Sequence, residues 1–106
     1  MESISQILAR ELGREQSHID NVIKLIDEGN TIPFIARYRK ELHGAMDDTT
    51  LRTLAERLEY LRGLQERRDT VKKSIEEQGK LTEELSNAID EAATLAALED
   101  IYRPYK

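Results

Sequence analysis

The sequence predicts an all-α protein of about six helices, with a helix-turn-helix-like N-terminal part and one long central helix of roughly 30 residues. Three observations carry that expectation. Apolar residues recur at three- and four-residue steps along nearly the whole chain, which marks one buried stripe per helix. Four of the five glycines, Gly13, Gly29, Gly44 and Gly79, stand singly between the periodic segments, where they end helices. Five aromatics, no Trp and two Pro leave little with which to fill strand faces.

The first helix is expected over Glu2 to Leu12, with Ile4, Ile7, Leu8 and Leu12 as its stripe and Gly13 behind it. Ser17 is the expected cap of the second, with Asp20 three residues on in a capping-box-like arrangement. Ile19, Val22, Ile23 and Ile26 form its apolar face, and Gly29 stops it. Asn30 or Thr31 caps a third helix running to about residue 42, in which Pro33 sits early, where its missing N–H costs nothing. Phe34, Ile35, Tyr38 and Leu42 repeat at helical spacing there, and Gly44 ends the segment.

The central helix is expected between a cap at Asp47 or Asp48 and an end at Gly79. Leu51, Leu54, Leu58, Leu61 and Leu64 form its stripe, which Val71 and Ile75 continue. Gly63 lies inside and costs about 1 kcal/mol against Ala, a cost that close helix packing or a slight bend would explain. A bare part of this stripe would invite dimerisation or domain swapping. Thr82 caps a fifth helix, with Glu83 and Glu84 against its dipole and Leu85, Ala88, Ile89 and Ala92 facing inward. Thr94 opens a sixth, striped by Leu95, Leu98, Ile101 and Tyr102 and ended by Pro104. The terminal Tyr-Arg-Pro-Tyr-Lys is expected to continue into further polypeptide.

Composition restricts function. The 106 residues suit one ordinary domain or less. Absence of cysteine excludes disulfides, a Cys nucleophile and Cys-based metal sites. The opening MESISQILAREL lacks the basic and apolar regions of a signal peptide, and no stretch approaches the ~20 apolar residues of a membrane span. A cytoplasmic location without membrane contact is the expectation. A net charge of −5 opposes tight autonomous nucleic-acid binding, since phosphate neutralisation supplies most of such affinity. The charge is uneven: residues 31–45 carry three basic groups and one acidic, in an otherwise acidic or neutral chain.

That basic island, Arg37, Arg39 and Lys40, is the candidate nucleic-acid-binding site. A basic second helix after a tight connection is one way to read a groove, with Arg14 or Lys24 assisting. The competing reading is a solvated face on which Arg37 pairs with an acid of a neighbouring helix. A second cluster, Arg67, Arg68, Lys72 and Lys73, is surrounded by Glu66, Asp69, Glu76 and Glu77 and reads as a salt-bridged surface. His18 and His43 have no ligand partner at helical spacing and read as surface residues, so no metal, cofactor or catalytic residue is expected. Tyr38, Tyr60, Tyr102 and Tyr105 stand singly on different helices, where packing is favoured over base stacking, above all for Tyr38 and Tyr102.

Three strings carry a resemblance to a known family. GNTIPFIARYRKELHG (Gly29 to Gly44), EEQGKLTEEL (Glu76 to Leu85) and LEDIYRPYK (Leu98 to Lys106) resemble, in order and spacing, the N-terminal region of the Tex family of transcription accessory proteins. His43 stands where Thr is common, Ala45 and Met46 alter the turn, and Arg103 replaces a position often apolar; these read as surface details. The resemblance implies a bacterial cytoplasmic protein of several domains, related to a eukaryotic transcription elongation factor. This chain, residues 1–106, would be its helical N-terminal region. An RNase-H-like domain, generally considered to lack a working catalytic set, helix-hairpin-helix elements and an OB-fold RNA-binding domain would follow. Nucleic acid would be held mainly by those later parts, with other domains of the same protein and the transcription machinery as further partners. The implied role is a helical scaffold and interaction module, not an enzyme. The alternative is an autonomous helix-turn-helix domain that binds through residues 33–42.

Overall fold

The computed structural model describes residues 2–106. Seven α-helices follow one another: α1 Ile4–Leu12, α2 Gln16–Asp27, α3 Ile32–Tyr38, α4 Lys40–His43, α5 Asp48–Glu77, α6 Glu83–Glu91 and α7 Leu95–Tyr102, with a 3-10 turn at Arg103–Tyr105. No strand occurs among the described residues, so the all-α expectation holds. The helices form two compact units, Glu2–Leu61 and Arg62–Lys106, and the division falls within α5.

In the first unit, α1 starts two residues later than expected. Ser3 caps it reciprocally with Gln6: the Gln6 N–H reaches Ser3 Oγ at 3.1 Å and the Ser3 N–H reaches Gln6 Oε1 at 2.8 Å. The predicted Ser17 cap is absent, since α2 begins at Gln16, after an extended Glu15 that makes no side-chain cap. Leu8, Ile19, Val22, Leu25, Ile35 and Met46 pack with Leu51, Leu54, Leu58 and Leu61 of α5 into one core. Fully burying each such side chain contributes about 1.5–3 kcal/mol before entropy is counted. The predicted leucine stripe is covered, from 0% exposure at Leu51 to 6% at Leu61, so the bare surface that would drive self-association is missing there.

The expected helix over residues 33–42 is two helices. Arg39 departs from helical geometry at φ −127°, ψ 38°, and serves both as the end of α3 and the start of α4. Its N–H donates to Ile35 O at 3.2 Å, closing α3, while its carbonyl accepts from His43 N at 3.2 Å, opening α4. Asn21 Nδ2 donates to Leu42 O at 3.0 Å and ties α4 to α2.

The turn after α4 corrects three surface expectations. His43 is fully buried and Met46 is 2% exposed. The Met46 N–H donates to His43 Nδ1 at 2.8 Å, which fixes the proton on Nε2. Gly44 (φ 65°) and Ala45 (φ 61°) both adopt the left-handed conformation that brings this donor round. Glycine is needed at 44 for a second reason: a Cβ there would stand 2.4 Å from His18 Nδ1. His18 is therefore half-buried packing, with its Nδ1 3.8 Å from Glu15.

In the second unit, Leu64, Val71 and Ile75 of α5 are buried, as are Ile89, Ala92 and Leu98. Thr82 and Thr94 cap α6 and α7 as predicted, each accepting from a backbone N–H at 3.1 Å. Ala88 is exposed and Leu95 is 39% exposed, so the inward faces of both helices are narrower than the spacing suggested. Gly63 has open space where a Cβ would project, which removes close packing as its explanation.

Candidate nucleic-acid interface

The residues of α3 divide by helical phase, at about 100° per residue. Thr31 caps the helix, accepting from the Phe34 N–H at 3.3 Å, and Pro33 sits in the first turn, where no intrahelical donor is lost. Ile35 is fully buried, and Ile32 and Ala36 pack partly buried beside it against the core. Phe34, Arg37 and Tyr38 are left on the outer side. Phe34 is 40% exposed and Tyr38 57%, which reverses the expectation that Tyr38 belongs to a packed stripe. Their ring centroids are 5.2 Å apart at a tilt of 42°, the spacing of an attractive aromatic pair. The Arg37 guanidinium lies 5.2 Å from the Tyr38 centroid, a cation–π contact at an exposed site.

The three predicted basic residues have different surroundings. Arg37 stands with the two aromatic rings. Arg39 is half-buried, its Nε 3.3 Å from Glu41 Oε1, in a depression with Asn21, Lys24, Leu25, Glu28 and Leu42. Lys24 thus shares the surroundings of Arg39, and two carboxylates offset much of that positive charge. Lys40 is exposed and borders a cleft with Asp47 and Asp48. Arg14 lies close enough to Asp47 to help hold that carboxyl below its usual range, behind the larger effect of the Thr50 hydrogen bonds. Sequence reasoning missed Phe34 and Tyr38 as surface groups. Their signal was an aromatic pair four residues apart, with Arg37 between them, in a helix without a single carboxylate.

The second basic cluster is structural. Arg67 donates twice to Glu99, at 2.6 and 3.1 Å, and this pairing, with Lys106 assisting, holds the Glu99 carboxyl down to about 2. Lys72 Nζ is 2.5 Å from Asp90, and Arg68 donates to the Ala92 carbonyl at 2.7 Å. These cations reach across to α6 and α7, whereas the sequence suggested pairing along their own helix. Tyr102 shares a 2.7 Å hydrogen bond with Ser74 and lies near Arg67 and Lys106, so its predicted packing role stands.

Among the described residues no group of three or more His, Asp or Glu is placed to hold a metal ion, and no helix is long and apolar enough to cross a membrane. The described residues thus form an all-helical fold in which α3 carries two partly exposed aromatic rings and an adjacent cation. Residues 2–76 match the family model described as the Tex-like protein N-terminal domain. The chain belongs to the Tex family. It is 56% identical over 104 residues to the transcriptional accessory protein Tex of Neisseria gonorrhoeae, across 98% of this chain and 14% of that protein. It is 52% identical over 105 residues to protein YhgF of Escherichia coli, across 99% of this chain and 14% of that one. A more distant relative, the human S1 RNA-binding domain-containing protein 1, is 37% identical over 101 residues, across 95% of this chain and 10% of its own length. The chain therefore spans about one-seventh of the length of its bacterial relatives.

Proposed function

We propose that the chain is a non-catalytic, cytoplasmic interaction module of a transcription accessory protein, the helical N-terminal region of a longer chain of several domains that binds RNA or DNA. Family membership supports the transcriptional setting. The relative named for an S1 RNA-binding domain supports RNA as a ligand of the longer chain. The observation that carries a direct contribution from this region is the outer side of α3 and its junction with α4, where Arg37 and Lys40 are exposed in a chain of net charge −5. Arg37 and Lys40, with Arg39 assisting, contact phosphate weakly, and the longer chain supplies most of the affinity.

Fluorescence anisotropy with generic RNA and DNA at low and moderate salt tests this reading. Each phosphate contact adds about 0.7 (single strand) to 0.9 (duplex) to the slope of log K against log salt. Weak binding is expected, and the combined change Arg37→Ala, Arg39→Ala and Lys40→Ala is expected to lower that slope by about two. Absence of binding at low salt, with the helical circular dichroism intact, would remove nucleic-acid contact from this region and leave it a scaffold.

A further inference from the structure

We infer that the Phe34–Tyr38 pair is a stacking platform for unpaired nucleobases, so that the ligand of this edge is single-stranded nucleic acid. The inference rests on the nucleic-acid reading above and narrows it to one substrate class.

Four features of α3 lead there. Two large aromatic side chains are exposed on one helix, at 40% and 57%, while the inward residue Ile35 is fully buried. The rings are not needed for the core, whose members are all supplied by other positions. They lie 5.2 Å apart, adjacent enough for neighbouring bases of one strand to engage both. The cation beside them is Arg37, and the helix Ile32–Tyr38 contains no acidic residue, alone among the α-helices of the described residues. An apolar protein ligand would need no such charge. An anionic polymer with flat, apolar bases matches both the rings and the cation, since base–aromatic stacking and Arg contacts act together in single-strand binders.

Duplex fits less well. The bases of a duplex are stacked on each other and offer only their edges, so exposed rings find no face to cover. A helix of seven residues is about 10 Å long and, ending at Arg39, has no continuation to run along a groove. Single-stranded bases are splayed and can be received on any exposed ring.

The test compares a fluorescein-labelled oligo-U RNA, the matching oligo-dT and a 20-base-pair duplex, all at low salt, against three proteins. These are the unmodified chain, the pair Phe34→Leu with Tyr38→Leu, and the triple alanine change at Arg37, Arg39 and Lys40. Leucine keeps apolar area while removing the π-face, and both positions are exposed, so thermal melting should stay unchanged. The expected result is tighter binding of the single strands than of the duplex. The leucine pair should weaken single-strand binding by roughly tenfold or more and leave duplex binding as it was. Tyr38 fluorescence should also be quenched by oligo-dT in the unmodified chain. Equal single-strand and duplex binding, indifferent to the leucine pair but lost in the triple variant, would overturn stacking while leaving the phosphate reading standing. No binding of any of the three ligands by the folded, unmodified chain would overturn both.

Discussion

The two units of this chain share one helix and use its two halves differently. In Glu2–Leu61, α5 contributes four leucines to a core of ten buried apolar residues. In Arg62–Lys106 it contributes fewer buried apolar side chains, Leu64, Val71 and Ile75, and adds Arg67, Arg68 and Lys72 as polar clasps on α6 and α7. Apolar burial does not titrate and is not screened as charge is, whereas ion pairs at partly exposed positions are screened and titrate. In the first unit Arg57 makes one such clasp, donating twice to Glu11 of α1 at 3.0 and 2.9 Å, so α5 joins charge to packing in both units and leans on charge more heavily in the second.

The largest effect is expected at Leu54. Leu54→Ala should destabilise the first unit by about 3–5 kcal/mol, because Leu54 is fully buried and the site leaves a cavity. Amide hydrogen exchange should show the loss mainly in α1 to α4. Equal loss of protection in α6 and α7 would show that the two units unfold as one.

A smaller effect of opposite sign is expected at Gly63, beside the division of α5. A Cβ there meets nothing within 4 Å, so Gly63→Ala should stabilise the helix by about 0.5–1 kcal/mol in a thermal melt. A loss of stability would mean that α5 needs a bend at this point.

The smallest effect is expected at Glu99. Its carboxyl is held down to about 2, chiefly by the Arg67 hydrogen bonds, from an ordinary value near 4.5. A depressed folded value stabilises above the unfolded one, and that contribution is lost as pH falls from about 4.5 through about 2. Glu99→Gln should lower the melting temperature slightly at neutral pH and flatten the acid limb of the second unit between those values. An unchanged acid limb would assign the acid sensitivity to other carboxylates.

Much of this architecture was legible in sequence because local chemistry and burial agreed. Thr31, Asp47, Thr82 and Thr94 mark helix starts by hydrogen bonds to residues three further on, a signal contained in a few neighbouring letters. The five leucines of α5 were readable for the same reason. What failed depended either on a partner distant in sequence or on a local backbone departure that helical periodicity does not encode. The pairing of Arg67 with Glu99 spans 32 positions, so local acids stood in for the true one. His43 is a core residue only because the left-handed Gly44–Ala45 turn delivers the Met46 N–H to it. At the candidate site, the basic residues were found but their company was not. Periodicity placed Phe34, Ile35, Tyr38 and Leu42 on one stripe; within α3 only Ile35 of these turns fully inward, and the interruption at Arg39 reset the phase of Leu42 alone.

That interruption separates two kinds of evolutionary constraint. Leu42 and His43 answer to the interior through α4, held by its own bonds to Arg39 and Asn21. Phe34, Arg37 and Tyr38 lie outside that core and are partly exposed to solvent. Substitution at those three positions would therefore change the outer side of α3 while leaving every buried core position as it is.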